Sequence, residues 1–517
     1  GDRAGSNVTT GHSGVYIGYL AGYGGNQSGN VAIGAEALFT ANGNSNVAIG
    51  YQAGRYTTAN DGVWIGVGAG SSKAGGGQSV LVGHYAGQYM VGSEATHVGR
   101  SAGQYASGSR NTFVGGNAGR GGTTSAPYSS GESNVGVGYN SQYNFTTGNE
   151  NVSLGHSTLF NNAIGTRNTA IGHRALVGSS GNSTSENVAV GRESLFSISS
   201  GGYNVALGNQ ALYSLSSGNY SVGIGFQAGY YHIGSNNVFV GKDSGKGSSG
   251  NSTGGGNTAI GMGSLLGITT GGNNLAAGAY AGRAITTGNS NSVLGTNSAY
   301  ALTIGVGNTV LGYEALKTED VGDYATAIGY RALHAQNSDS DNEGTYNVGI
   351  GYIAGYNNVT GKFNTLVGTE AGAGSSGNSY SYATAVGYKA GYSLTTTGVT
   401  AFGFEAARSS TTGGGVHIGY QAGYSQTTGN SNVSVGTQAL YSNQTNQYNV
   451  AIGKSALYSL AGSSLDGNVA VGWEAGRNAQ CDTSTIMIGY RSGYRQKGHS
   501  SISIGYELVF LLVTKLV

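Results

Sequence analysis

The sequence predicts an all-β fold, a parallel β-solenoid (β-roll) of about 30 stacked coils, each 16–17 residues long. Three observations predict it: a glycine that returns at near-constant spacing, a fixed order of residue types around it, and a composition hostile to helix. Of 517 residues 99 are Gly and one is Pro, charged residues make up 9%, and apolar residues reach 38%. Abundant glycine without a 3.6-residue apolar period opposes helix. Glycine without proline or a three-residue period excludes collagen. Regularly recurring apolar residues exclude an ordinary disordered tract.

The repeat is counted from the glycine that follows an apolar pair, as in NVAIGYQAG at 46–54. This anchor occurs 29 times from Gly18 to Gly505, and of the 28 intervals thirteen are 17 residues and nine are 16. Gly1 lies 17 residues before Gly18, so the sequence opens in mid-repeat, as expected of a processed chain or a piece of a longer one. The repeats predict one solenoid domain over 1–505; segment 506–517, YELVFLLVTKLV, departs from the pattern and is too short and too charged for a membrane helix. No secretory signal segment is present.

Each coil is predicted element by element. Four positions before the anchor stands Asn in 18 of 29 coils, as at Asn46, Asn187 and Asn449. Stacked coils turn it into a ladder of side-chain amides. The flanking aliphatics, such as Val47 and Ile49, alternate with a small residue and predict a strand of about five residues. Their pair is expected to form a thin continuous core. The anchor, as at Gly50, Gly191 and Gly453, is expected to supply a backbone angle that other residues resist. A second short strand and a polar return loop complete the coil. Ordering 17 residues costs roughly 1–2 kcal/mol each. The few aliphatic side chains return about 1.5–3 kcal/mol apiece, so coils are stable only in a stack. At ~4.8 Å per strand such a stack is a long rod of very roughly 135 Å.

Runs of Asn-x-x-[Ile/Val]-Gly resemble the head repeats of trimeric autotransporter adhesins, and similar runs occur in phage tail-fibre and other virion appendage proteins. The likeness covers Gly1 to about Gly505. It implies a left-handed β-roll, association of three chains, and binding to host surfaces. The adhesin repeat is generally shorter than 17 residues, so a longer return loop is expected here. No heptad stalk or membrane-anchor barrel accompanies the repeats.

Candidate chemistry is sparse. Net charge of +1 gives no footprint for nucleic acid or an anionic membrane. Gly453-Lys454-Ser455 lacks the earlier glycine of a phosphate loop, Tyr448 standing in its place. The nine histidines share no repeat position and read as unrelated surface residues. Asp339, Asp341 and Glu343 read as a solvated loop, Cys481 as a free thiol in a loop. Asn-x-Ser/Thr sites at Asn7, Asn26, Asn182, Asn251 and Asn358 match at the rate expected of so Asn- and Ser-rich a chain. Neither a metal nor another cofactor is expected, and an enzyme is not. The tyrosines just after the anchor (Tyr51, Tyr313, Tyr330, Tyr352, Tyr388, Tyr420 and Tyr490) are expected to form a track for stacking sugar rings or for sealing a chain–chain interface. Together these observations predict an extracellular structural or adhesive fibre segment, of a virion appendage or a bacterial surface. Its expected partners are copies of itself and a cell-surface glycan or receptor, without nucleic acid or membrane insertion. A glycan- or ice-binding solenoid is the alternative.

Overall fold

The computed structural model describes residues 1–24, 28–72, 77–123, 125, 128–179, 181–250, 252–341, 343–411, 413–460, 465–480, 483–497 and 500–508. Asn26, Pro127, Asn251, Cys481 and residues 509–517 lie outside them. The chain divides into two compact units, Gly1–Asn257 and Thr258–Val517. The first holds strands β1 (Val15–Ile17) to β14 (Val238–Val240), the second β15 (Thr258–Ile260) to β29 (Ile502–Ile504). Every strand is three residues long, and no helix occurs among the described residues. Within each unit successive strands pair in parallel and in strict register: Val188, Ala189 and Val190 face Val205, Ala206 and Leu207 in the first, and Thr309 faces Thr326 in the second. This is a β-solenoid. Longer intervals leave the register intact, since Thr112 still pairs with Val135; the extra residues bulge out beyond the strands.

The second half of each coil departs from the expected second strand. It is a ladder of turns built on left-handed residues. In the coil of Gly208, Tyr203, Gln210 and Leu212 have φ of 60°, 58° and 49°, and the anchor itself 136°. Non-glycine residues in this region cost about 1–3 kcal/mol each, so they persist only where the surroundings fix them. Here they are fixed by bonds to both neighbouring coils. Gln210 N–H donates to Arg192 O at 2.8 Å, while Leu212 and Ser214 donate to Ala228 O and Tyr230 O, both at 2.9 Å. A run of alternating backbone hands cannot be a pleated strand, yet it stacks as regularly as one. At the anchor the fit is tighter still. Gly50, Gly191 and Gly453 have φ of 134°, 127° and 128°, and a Cβ on Gly208 would lie 2.5 Å from Gly225 O in the next coil.

The core also differs from the expected one. Val47 is half-buried and Ile49 is exposed, while Ala48 between them is fully buried. In a three-residue strand only the middle side chain points inward, and the interior is too narrow for more. The aliphatic pair therefore faces out. The coil of Gly208 fills its interior from five other places, Asn204, Ala206, Ala211, Leu212 and Leu215. Two of these positions trade volume. A bulky residue two before the anchor goes with glycine four after it, as for Trp64 with Gly70, Leu81 with Gly87, Phe113 with Gly119 and Phe239 with Gly245. Where Ala170, Ala189 or Ala206 occupies the strand centre, Leu176, Leu195 or Leu212 fills the space. A Cβ on Gly70 would lie 2.5 Å from Trp64 Cδ1, so a large strand-centre ring excludes a side chain there. Coils such as that of Ala48 and Gly54 take neither large residue and are filled by Leu38 and Trp64 of the neighbouring coils.

Buried asparagines close each coil and tie it to the next. Asn168, Asn187 and Asn204 each donate their backbone N–H to the Oδ1 of the asparagine one coil earlier, all at 3.0 Å. Asn187 Nδ2 also reaches back to Gly201 O at 3.1 Å, pinning the return loop of its own coil. Asn46 does the same with Ala59 O at 2.8 Å and accepts from Gly62 N–H at 2.9 Å. Asn449 lies between Asn432 and Asn468 in the second unit. Replacing Asn168 by Ala leaves Asn187 N–H buried without an acceptor, at a cost of about 1–3 kcal/mol. Hydrogen exchange should then speed up in the strands Thr169–Ile171 and Val188–Val190 and stay slow in the second unit.

Three histidines are in this core rather than on the surface. His97, between Leu81 and Phe113 in the strand-centre column, is fully buried, with neither ring nitrogen hydrogen-bonded. Burial pushes its pKa from 6.5 to about 3. His417 and His232 are likewise pushed down by burial, each to about 4. Because the unfolded chain takes up these protons first, stability is complete above about pH 6.5 and falls as pH drops towards 4, by about 1.4 kcal/mol per pH unit for each histidine. A His97→Phe variant should show a shallower loss of denaturant midpoint between pH 7 and pH 4.5 than the parent.

Candidate interaction surface

The outward aliphatic pairs form two parallel columns along the strand face of each unit. Ile17, Leu154, Leu311 and Phe402 are about half exposed, as are many of their counterparts in other coils. The residue after the anchor extends this face. Tyr51, Tyr313, Tyr330, Tyr352, Tyr388 and Tyr420 are all exposed there, and Tyr490 is half-buried. The column next to the anchor is apolar, the column three before it mixes Val, Leu and Ile with Thr, as at Thr309, Thr326 and Thr400, and aromatics line the margin.

The structure brings these tyrosines into stacks rather than leaving them as separate platforms. Tyr313, Tyr330 and Tyr352 follow one another at 5.4 Å between centroids, within 14° of parallel. Tyr388, Phe404 and Tyr420 are spaced 5.0 and 5.1 Å, and Tyr490 stacks on Tyr506 at 4.8 Å. Tyr51 differs: its hydroxyl accepts from Gln52 Nε2 at 3.1 Å. In the stacks each ring covers its neighbour's face, so edges and hydroxyls point to solvent. A sugar ring needs a bare face, which only the end members of a run offer.

Two further tracks exist. Five residues after the anchor, Phe196, Tyr213 and Tyr230 stack at 5.0 and 4.8 Å, and Tyr424, Tyr441 and Tyr458 at 4.9 and 5.0 Å. The track five residues before the anchor escaped the sequence reading: Tyr324, Tyr346, Phe363 and Tyr382, at 5.3–5.5 Å, line the other margin of the strand face in the second unit. Its signal was present as the aromatic preceding the asparagine or alanine, in GDYA, GTYN, GKFN and SYA.

Polar groups are occupied by one another. Glu314 meets Lys317 and Arg331, each at 2.7 Å, and their hydrogen bonds, Lys317's first, hold its pKa down to about 2. Glu474 is held low in the same manner by Arg491 and Arg477. Arg331 also lies 5.2 Å over the Tyr330 ring. In the acidic insert, Glu343 accepts from Asp339 N–H and pairs with Lys362. Among the described residues no group of three or more His, Cys, Asp or Glu side chains could hold a metal ion, and no helix is long and apolar enough to cross a membrane. Segment 506–517 begins as a cap on the last coil, where Leu508 O accepts from Gly493 N–H at 2.7 Å. The strand face presents the same kinds of exposed side chain coil after coil.

The chain matches no family model, no curated protein and no solved structure.

Proposed function

We propose that the chain is a non-enzymatic segment of an extracellular fibre, a virion appendage or a bacterial surface adhesin, whose strand face packs against copies of itself. The observation that carries this reading is the outward-facing aliphatic ladder. Water-exposed apolar stripes larger than a few hundred Å² are rare on monomers and mark interaction surfaces. Here the stripe recurs coil after coil with Ile49, Ile65, Ile418, Ile452 and Ile488 exposed, and aromatic edges border it. Association of three chains is the state the repeat resembles, and a common face for all three buries the stripe. Repetition then multiplies modest contacts into firm attachment, because each bound coil raises the local concentration of the next.

Light scattering and sedimentation test the assembly. The expected mass is three times 51.8 kDa, unchanged on dilution. Replacing Ile418 and Ile452 together by Asp should lower the mass towards one chain while circular dichroism stays that of the parent. A parent that is a single chain at every concentration overturns the reading.

A further inference from the structure

Wherever the fifth residue after an anchor is basic, its charge finds a partner, with one exception. Lys246, Lys317, Arg408 and Arg477 pair with Asp243, Glu314, Glu405 and Glu474, the acid standing three residues earlier in the same coil. Arg55 takes Glu36 from the preceding coil at 3.0 Å. Arg120 donates to the Tyr143 hydroxyl at 2.7 Å and to Gln104 Oε1. Arg283 is the exception. The place of its acid is taken by Tyr280, and the next coil puts Asn297 at that position. Among the described residues its guanidinium contacts only the Tyr300 ring, 5.1 Å to the centroid.

The same substitutions open a depression of about 520 Å³, lined by Tyr280, Arg283, Asn297, Tyr300 and Lys317. That volume falls within the ~300–1,000 Å³ of small-ligand sites. Tyr280, two residues after its anchor, lies outside the aromatic tracks, and its hydroxyl is 4.0 Å from Met262 Sδ. One of its faces covers Gly263, on which a Cβ would lie 2.7 Å from Tyr280 Cδ1. Tyr300 meets it edge-on, 71° from parallel at 6.5 Å. No ring stacks in parallel on Tyr280 among the described residues. An unpaired guanidinium, an amide and a phenol ring line one hollow.

We propose that this hollow binds a carboxylate-bearing sugar of the uronic acid class. The ligand's carboxylate takes the place of the acid that the other coils supply, in a charge-assisted pair with Arg283. The apolar face of the pyranose lies on Tyr280, and the Asn297 amide serves the ring hydroxyls. The proposal deepens the adhesive part of the reading above and rests on it for biological purpose, while its geometry belongs to one chain.

Saturation-transfer NMR on the full chain with glucuronate, glucose and acetate tests it. Glucuronate should bind about tenfold more tightly than either control, since glucose lacks the charge and acetate the ring. Arg283→Gln should remove that preference. Tyr280→Glu, which rebuilds the acid–base pair of the other coils, should abolish glucuronate binding with circular dichroism and mass unchanged. Equal binding of glucose or acetate, or glucuronate binding that survives Tyr280→Glu, overturns the proposal. Should Arg283→Gln fail to fold, the Tyr280→Glu arm decides. The mass measurement judges assembly separately, so the two readings fail on different data.

Discussion

Hydrogen bonding between successive coils carries this structure, because a coil has almost nothing within itself. Its interior takes an asparagine, one strand residue and three residues further on, as with Asn204, Ala206, Ala211, Leu212 and Leu215. That burial is far below the roughly 1–2 kcal/mol per residue needed to order the backbone. What closes the deficit is shared. Strand, turn ladder and asparagine each bond to the coil above or below, as Gln210, Leu212 and Asn204 do. Stability is therefore a property of neighbours, the nearest-neighbour regime of repeat proteins. Damage to one coil should spread to adjacent coils and fade beyond them.

The same dependence explains why strained backbone is used so freely. Left-handed leucines such as Leu176, Leu195 and Leu212 would be costly in an isolated turn. In the stack they aim a large side chain into the interior while their N–H groups reach the next coil. Alternating the backbone hand turns the chain through its tight return without breaking the inter-coil ladder. Glycine at this position lets a bulky strand-centre residue such as Trp64 or His97 enter instead. Where a coil has neither, as at Gly54 and Gly229, large side chains of the neighbouring coils fill the space. The price of the aromatic or histidine route is that a polar atom such as Trp64 Nε1 or the ring nitrogens of His97 goes without a partner.

Fold class, coil length and the asparagine positions were legible because they recur. A period needs no knowledge of side-chain direction. What failed was everything that depends on direction inside a coil. Val47 and Ile49 read as core because aliphatic residues usually are, yet a strand of three residues has room to bury only its centre. Ala48 carried the true signal through its smallness. The volume exchange between Trp64 and Gly70, or Ala206 and Leu212, was also present in the letters, but only a strand facing a turn across a narrow interior gives it meaning. The three buried histidines occupy two different columns and share no sequence motif. His97 and His417 stand at the strand centre, where Ala and Phe stand in other coils.

A solenoid of this kind satisfies its own surface. Carboxylates are met by bases three residues on or one coil away, and aromatic faces are covered by the next ring in the column. Along an unbroken column what remains exposed is aliphatic, ring edge or hydroxyl. Selective recognition of a small polar ligand needs groups left unmatched, and a regular column leaves none. Such groups arise where one residue breaks the period. At Tyr280 an aromatic stands in an acid's place; it strands the Arg283 charge and meets Tyr300 at 71° instead of in a parallel stack. Regularity thus provides the scaffold, and an irregular coil such as that of Tyr280 leaves polar groups unmatched.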